Sequence, residues 1–269
     1  MQGKTITYQS SRIFYRVAGK GKPIILIHGF GEDGEIWNEQ VDHLKDNFRV
    51  IIPDIPGSGR SAIDSWQPTI GIEEHAEFIK AITDEEKIKM CTIIGHSMGG
   101  YITLAFAEKY PEMLTAFGLV HSTAFADSEE KKLARLKSIE FIKSNGAYEF
   151  LKTSVPGLFM RHDGSQPSDT CIKILIEKSK SFTVEALAQY YQAMIDRPDR
   201  TAVLKNAGCP VLFIIGEYDM AVPFQQGLQQ SYLPARSHIN ILRNSAHMGM
   251  LEETKKVNEI LVEFLNLNL

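Results

Sequence analysis

The sequence predicts an α/β fold with a mostly parallel sheet, helices on both of its faces and a helical insertion. Short continuous apolar runs alternate with helix-like segments along most of the chain. Runs of this kind are typical of strands buried on both faces, as in a parallel sheet. One long helical stretch, between His121 and Val211, interrupts the alternation. The alternation therefore predicts the sheet, and the interruption predicts a separate unit.

Eight segments have the pattern of strands, so we expect an eight-stranded sheet. The first two, residues 5–9 and 12–19, alternate apolar and polar residues and predict a hairpin. The other six are continuous apolar runs at residues 23–29, 49–54, 90–95, 117–122, 211–216 and 239–243. Helix-like segments flank them at residues 35–46, 70–84, 97–109, 222–231 and 252–265. This arrangement is typical of a doubly wound α/β fold.

The interruption contains four helix-like stretches, at residues 127–143, 146–153, 167–180 and 183–195. It is too long to be an ordinary connection between one strand and the next. We therefore predict a core made of residues 1–121 and 206–269, into which residues 122–205 are inserted as a helical cap, or lid. A strand concealed within the insertion is the alternative.

Composition and charge are those of an ordinary globular protein. Apolar residues make up 43% of the chain and charged residues 23%, with a formal net charge of -4. This charge gives no reason to expect a nucleic acid or an anionic membrane as a partner. We expect a small-molecule substrate and a monomer or homodimer. The first residues lack a secretory signal pattern, and no apolar run is long enough to span a bilayer, which favours the cytoplasm.

The three cysteines, Cys91, Cys171 and Cys209, are too few and too widely spaced for a disulfide framework or a zinc site. We expect all three to be reduced structural residues, as is usual in the cytoplasm. We expect no metal ion and no cofactor.

The sequence Gly95-His96-Ser97-Met98-Gly99 predicts the nucleophile. A G-x-S-x-G pentapeptide alone is weak evidence, because glycine and serine are common residues. Its position is more informative, since it follows a predicted strand and precedes a predicted helix, where the motif forms a nucleophile elbow. The hydroxyl then points at the helix N-terminus, where developing negative charge is favoured. An ordinary glycine-rich turn between strand and helix is the alternative.

A serine hydroxyl needs a base to remove its proton. Among the eight histidines, His247 has the right position, because it lies in the loop between the last predicted strand and the last predicted helix. Such loops gather at the carboxyl edge of a parallel sheet, where the elbow also lies. His96 is expected to pack, and no convergent partner is evident for His43, His75, His162 and His238. A histidine in a surface loop is the alternative for His247.

Asp219 is the predicted acid that orients the base and stabilises its charged form. It follows the penultimate predicted strand, again at the carboxyl edge of the sheet. The other position, after the strand that ends at His121, offers no carboxylate before Asp127. The chain order is then nucleophile, acid and base. Capping of the helix that follows Asp219 is the alternative role.

The loop after an early strand, His28-Gly29-Phe30-Gly31, predicts a binding site for the oxyanion. Glycines at positions 29 and 31 allow backbone N–H groups to approach a ligand closely. We assign the two donors to the N–H of Phe30 and the N–H of Met98, the residue after the nucleophile. A simple tight turn at His28 and Gly29 is the alternative.

Together these features resemble the α/β-hydrolase superfamily. The matching segments are residues 28–31, Trp37, residues 53–61, residues 95–100, residues 216–223 and His247, within a span from Phe14 to Leu265. The resemblance implies the α/β-hydrolase fold, and it implies that the helical insertion is the cap of that fold. Ser58 departs from the pattern, because many relatives carry histidine there, but that loop is structural in the family. Serine rather than aspartate at position 97 argues against the dehalogenase and epoxide-hydrolase branches.

The predicted site implies a serine hydrolase that cleaves a small carboxylic ester through an acyl-enzyme intermediate. Apolar residues near the expected edges of the cleft are candidates for lining the substrate pocket: Phe125, Phe159, Met160, Met220 and Met248. Packing is the alternative role for each of them. The alternative reactions with the same three residues are cleavage of a carbon–carbon bond, a thioester or a lactone, and peracid formation. A small-ligand receptor with slow turnover is a further alternative.

Overall fold

The computed structural model describes residues 1–8, 11–61, 70–160 and 169–268. Its centre is an eight-stranded, mostly parallel sheet, which confirms the predicted architecture. The strands are β1 (Gln2–Tyr8), β2 (Ser11–Ala18), β3 (Lys22–Ile27), β4 (Phe48–Pro53), β5 (Cys91–His96), β6 (Leu114–Val120), β7 (Val211–Gly216) and β8 (Ser237–Leu242). Their order across the sheet is β1-β2-β4-β3-β5-β6-β7-β8.

Strands β1 and β2 form the predicted antiparallel hairpin, in which Ile6 pairs with Ile13. β2 is also antiparallel to β4, and the other neighbouring pairs are parallel. β5 and β7 are buried at every position, as their continuous apolar sequences predict. Because the parallel strands run in one direction, the loops that follow β3, β5, β6, β7 and β8 lie at the same edge of the sheet.

Helices accompany the strands as the sequence predicts, with differences at their ends. They are α1 (Asn38–Leu44), α2 (Ile72–Glu85), α3 (Met98–Lys109), α4 (Glu129–Asn145), α5 (Ala147–Ser154), α6 (Asp169–Lys178), α7 (Val184–Asp196), α8 (Thr201–Lys205), α9 (Phe224–Ser231), α10 (Gly249–Glu252) and α11 (Thr254–Asn268). The predicted helix 35–46 is divided into a 3-10 turn, Gly34–Trp37, and α1. α8 was not predicted, because five residues are too few to establish a helical period.

Helices α4 to α8 lie between β6 and β7 and form the insertion. In the described part of this stretch no strand is present, so the concealed strand does not appear there. His162 and the first two residues of the predicted helix 167–180 lie outside the described residues. The predicted limits of the insertion, residues 122 and 205, stay a prediction.

Polar contacts tie the insertion together and join it to the loop that follows β4. The buried carboxylate of Asp127 pairs with Arg135 at 2.6 Å and with Arg197 at 2.9 Å. The hydroxyl of Tyr190 in α7 donates to the backbone carbonyl of Pro56 at 2.6 Å and lies 2.8 Å from Ser58 Oγ. Ser58, the position at which the chain departs from the family pattern, is therefore a hydrogen-bonding partner of the insertion.

All three cysteines carry free thiols. Cys91 is buried in β5, and this burial raises the pKa of its thiol to about 12. Such a thiol stays protonated at neutral pH and is a poor nucleophile. Among the described helices, none has both the length and the apolar character that crossing a membrane requires.

Candidate active site

Ser97 lies on the turn between β5 and α3. Its backbone has φ 51° and ψ -117°, a conformation that residues with a side chain rarely adopt. A Cβ at Gly95 would collide with the carbonyl oxygen of Gly99, and a Cβ at Gly99 would collide with the carbonyl oxygen of Ile27. Glycine at these positions lets α3 begin directly against the sheet. The Ser97 N–H donates to the carbonyl oxygen of Val120 at 2.9 Å, which anchors the turn to β6.

The loop that follows β3 lies against this turn. A Cβ at Gly29 would be 3.0 Å from the Cβ of Ser97. Gly31 has φ +68°, so the loop turns sharply just after Phe30. Within the described residues, neither the N–H of Phe30 nor the N–H of Met98 donates a hydrogen bond to another protein group. The two predicted oxyanion donors are therefore free. Met98 directly follows Ser97, and Phe30 lies in the loop that packs against the turn at Ser97.

Asp219 and His247 are hydrogen-bonded to each other. His247 Nδ1 lies 2.9 Å from Asp219 Oδ2, and each residue is only 4% exposed. Asp219 Oδ1 accepts the N–H groups of Ala221 and Val222, each at 2.8 Å. These bonds hold the turn that precedes α9, so Asp219 shapes its own loop while it orients the imidazole of His247. Asp219 therefore caps the turn that precedes α9, not the start of α9 itself.

A second histidine, His121, shares the carboxylate of Asp219. Its Nδ1 lies 3.2 Å from Asp219 Oδ2, and its Nε2 accepts the N–H of Gly249 at 3.2 Å. Because Nε2 accepts, the proton of His121 is on Nδ1 and the ring is neutral. Burial lowers the pKa of His121 to about 4, although Asp219 acts in the opposite direction. This partner was not predicted, because its only signal in the sequence is its position at the end of β6.

The charge on Asp219 fixes the tautomer of His247. Burial alone would raise the pKa of Asp219, but His247 and His121 lower it overall, so the group is a carboxylate. A carboxylate only accepts hydrogen bonds, so His247 Nδ1 carries a proton when it donates to Asp219. In the neutral ring the lone pair is then on Nε2. This is the state that a general base needs.

These three residues also form a donor set that could hold a metal ion. One ligand atom from each of His121, Asp219 and His247 lies within 4.8 Å of the others. Hydrogen bonds already occupy both nitrogens of His121 and Nδ1 of His247. We therefore interpret the cluster as a hydrogen-bonded acid–base set rather than as a cation site.

A buried pair of Glu32 and His96 lies beneath the site. His96 Nδ1 is 3.0 Å from Glu32 Oε2, and the same oxygen accepts the N–H of Gly29 at 2.8 Å. Burial would raise the pKa of Glu32, but the charge and hydrogen bond of His96 lower it overall. Burial would lower the pKa of His96, but Glu32 raises it overall. The predicted packing role of His96 was therefore incomplete, because its ring is also hydrogen-bonded to the carboxylate of Glu32.

The loop that carries His247 is bonded to the insertion as well as to the core. The N–H of His247 donates to the carbonyl oxygen of Leu158 at 2.9 Å. Glu252 Oε2 accepts the backbone N–H groups on both sides of His247, at 3.0 and 3.2 Å. Glu252 Oε1 accepts the N–H of Met160 at 2.6 Å. Movement of the insertion would therefore act on the position of His247.

Ser97 and His247 line one cavity of about 180 Å³. Phe30 and Tyr101 of the core contribute to its wall, and the insertion contributes charged and aromatic side chains. An adjoining cavity of about 70 Å³ shares Phe30 and three further residues with the first and is otherwise mostly apolar.

The five predicted pocket residues fall into two groups. Met220 lines the cavity of Ser97, and Met248 lines the adjoining apolar cavity. Phe125, Phe159 and Met160 line neither of these two cavities. Phe159 is 3% exposed and packs in the hydrophobic core. Of the five predicted residues, the two loop methionines therefore line these cavities and the other three do not.

Known proteins resemble the chain along its whole length. Its residues 22–153 match the family model of the alpha/beta hydrolase fold. A solved thermophilic esterase from Thermogutta terrifontis superposes with a TM-score of 0.91 at 26% identity, covering 99% of this chain and 98% of that one. A curated relative from Cupriavidus necator is the dihydrolipoyllysine-residue acetyltransferase component of its acetoin cleaving system. It is 26% identical over 94% of this chain, and the match spans 66% of that relative. The pimeloyl-[acyl-carrier protein] methyl ester esterase of Vibrio cholerae is 22% identical over 94% of this chain and 97% of that protein.

The family model covers residues 22–153, and the superposition extends the likeness over both the sheet and the insertion. The chain therefore has the α/β-hydrolase fold, and its residues 22–153 resemble that family in sequence.

Proposed function

We propose that the protein is a serine hydrolase that cleaves small carboxylic esters through an acyl-enzyme intermediate. One observation carries the proposal: Ser97, on a turn with positive φ, shares a cavity with His247, whose Nδ1 is bonded to the buried carboxylate of Asp219. A serine beside an oriented base and two free backbone donors is the arrangement that acyl transfer requires.

In the first half of the reaction, Ser97 Oγ attacks the carbonyl carbon of the ester while its proton passes to His247 Nε2. The carbonyl oxygen becomes an oxyanion, which accepts hydrogen bonds from the N–H groups of Phe30 and Met98. The tetrahedral intermediate then collapses, the carbon–oxygen bond to the alcohol breaks, and His247 Nε2–H protonates the leaving oxygen. Asp219 stabilises the imidazolium throughout.

In the second half, water attacks the acyl-enzyme. His247 Nε2 takes one proton from the water, and the oxygen bonds to the acyl carbon. Collapse of this second intermediate breaks the bond to Ser97 Oγ, which regains its proton from His247. The products are one carboxylic acid and one alcohol, and the enzyme returns to its starting state.

Two relatives support esters as the substrate class. The solved structure from Thermogutta terrifontis is of an esterase, and the Vibrio cholerae protein is a methyl ester esterase. We propose further that residues 122–205 form a cap over the cleft, with Met220 and Met248 lining the pocket. A small-molecule substrate, a cytoplasmic location and a monomer or homodimer complete the proposal.

The test is continuous release of p-nitrophenol from p-nitrophenyl acetate and butyrate. An enzyme turns over many equivalents, whereas a receptor with a slow site stops after about one equivalent per chain. Ser97→Ala should keep its fold, measured by circular dichroism, and lose turnover. Full activity in that variant would rule out the assignment. Matching thioesters and lactones in the same assay separate ester cleavage from the alternative reactions.

A further inference from the structure

The cavity that contains Ser97 has a cationic wall. Lys131 and Arg135, one turn apart on α4, both line it. Lys131 Nζ donates to the carbonyl oxygen of Ala221 at 2.8 Å, which directs the side chain towards the loop after Asp219. The insertion therefore places two positive charges at the cavity that holds the candidate nucleophile and base.

The acidic groups nearby do not balance these charges. Asp127, whose side chain is 1% exposed, uses one oxygen for Arg135 and the other for Arg197, and its distance to Lys131 Nζ is 4.0 Å. One carboxylate thus faces three cations. Among the described residues that line the cavity, Glu32 is the only acid, and its carboxylate is paired with His96. The wall formed by α4 therefore carries excess positive charge.

Hydrogen-bond donors on this wall are also unused. Arg135 bonds Asp127 through Nε, and its guanidinium lies over the ring of Tyr191 at 5.3 Å. In the described part of the chain, the terminal nitrogens of Arg135 and the hydroxyl of Tyr101 have no hydrogen-bond partner. Tyr101 lines the same cavity and is only 3% exposed. Because Tyr101 lines the cavity, its hydroxyl is available to a ligand there.

The adjoining cavity has different chemistry. The adjoining cavity of about 70 Å³ is lined by the apolar side chains of Leu151, Val155, Leu158, Leu175 and Met248. None of the described residues that line it is a lysine or an arginine. A ligand that fills both cavities would therefore meet cations at one end and aliphatic groups at the other.

We propose that the physiological ester carries a carboxylate, which Lys131, Arg135 and the Tyr101 hydroxyl bind, while a short apolar group on the other side of the scissile bond occupies the smaller cavity. Arginine suits a carboxylate because its planar donors match the two oxygens. The inference rests on the proposed function and deepens it by naming the substrate class.

Matched ester pairs test the proposal, with acid release followed by pH-stat titration. The first pair, monomethyl glutarate and methyl valerate, tests a carboxylate on the acyl side of the ester. The second pair, 4-acetoxybenzoate and 4-methylphenyl acetate, tests a carboxylate on the alcohol side of the ester. We expect kcat/KM for the anionic member of at least one pair to exceed that of its neutral partner roughly 10- to 100-fold. Equal or better hydrolysis of the neutral member in both pairs would overturn the inference and leave the proposed function standing.

Variants of α4 assign the preference to its residues. Lys131→Met and Arg135→Met should each reduce the ratio of anionic to neutral kcat/KM about tenfold. Arg135→Lys should restore part of the ratio, because it restores the charge without the planar donors. Lys132→Gln is the matched control, since Lys132 pairs with Glu129 and is absent from the cavity lining. Unchanged ratios in both methionine variants would contradict the assignment.

A binding measurement keeps the inference testable if neither pair is hydrolysed, an outcome that would count against the proposed function. Calorimetric titration of the whole protein with glutarate should show binding that weakens about tenfold in Arg135→Met, and glutaramide should bind much more weakly than glutarate. Equal binding of glutarate and glutaramide would overturn the anion site. Circular dichroism of each variant separates lost binding from lost folding.

Discussion

His96 Nε2 lies 2.9 Å from the backbone carbonyl oxygen of His247, so the residue before the candidate nucleophile holds the loop of the candidate base. A carbonyl oxygen only accepts, so Nε2 carries a proton, and Nδ1 donates to the carboxylate of Glu32. Glu32 in turn accepts the N–H of Gly29 in the loop of the predicted oxyanion donor. One buried ion pair therefore connects the loops of the nucleophile, the base and the oxyanion site.

Replacing His96 by glutamine tests the charge on this ring. Because the pKa of His96 is raised, its contribution to stability is fully present below pH 6.5 and is lost as the pH rises through the folded-state pKa. The pKa of Glu32 is lowered, so its contribution is present above pH 4.5 and is lost as the pH falls through the folded-state pKa. Between pH 4.5 and pH 6.5 we expect His96→Gln to lower the free energy of unfolding by about 3 kcal/mol.

Urea unfolding of wild type and His96→Gln at stepped pH measures this difference, which should shrink in alkaline solution. His43→Gln, which changes an exposed histidine on α1, is the control. A difference that stays constant into the alkaline range would mean that His96 is neutral.

His121 predicts a loss of stability in acid. Its pKa is lowered from 6.5 to about 4, so between these values the unfolded chain binds a proton that the folded chain does not. Stability therefore falls as the pH falls through this window, by up to about 3 kcal/mol for this residue. We expect the decline to be shallower in His121→Asn, followed by thermal unfolding at each pH. Burial also lowers the pKa of His75, to about 3. His75 is present in both proteins, so its contribution does not affect the difference between their slopes. Identical slopes would exclude the neutral, buried His121.

Asp219→Asn should prevent His247 from acting as a base without changing substrate binding. An amide NH₂ beside the two imidazoles favours a His247 tautomer with its proton on Nε2, which cannot accept the proton of Ser97. We expect kcat to fall about 10,000-fold with little change in KM. Steady-state kinetics on p-nitrophenyl butyrate measure this fall, with the exposed Asp84→Asn as control. A loss of less than about tenfold would remove Asp219 from the mechanism.

Gly95 and Gly157 form a matched pair for the turn at Ser97. A Cβ at Gly95 would collide with the backbone of Gly99, whereas a Cβ at Gly157 meets no atom within 4 Å. We expect Gly95→Ala to unfold the protein or to cost more than about 3 kcal/mol, and Gly157→Ala to change stability by less than about 1 kcal/mol. Urea unfolding gives both values. Equal stability of the two variants would contradict the close approach of α3 to β5.

Position along the chain predicted the residues that the sheet itself places. Ser97, Asp219 and His247 each follow a parallel strand, so one rule about strand ends was enough to expect them at the same edge. The same rule placed Met220 and Met248 near the cleft. It could not identify His121 as a partner of Asp219, because that contact joins side chains 98 residues apart and depends on where each side chain points.

The insertion follows no comparable rule. Its helices were expected from their apolar periods, but the period does not say which helix faces the cleft. Phe125, Phe159 and Met160 were therefore chosen for their apolar character and do not line the two cavities, whereas the charged residues Lys131 and Arg135 do. The predicted pocket was accordingly too apolar.

The most direct test of the central claim is the site of covalent modification by a fluorophosphonate, which reacts with serines activated as nucleophiles. Peptide mass spectrometry of the wild-type protein should find one equivalent of adduct on Ser97, and His247→Gln should react much more slowly. Modification at another residue, or an unmodified Ser97 in a protein that turns over esters, would contradict the account.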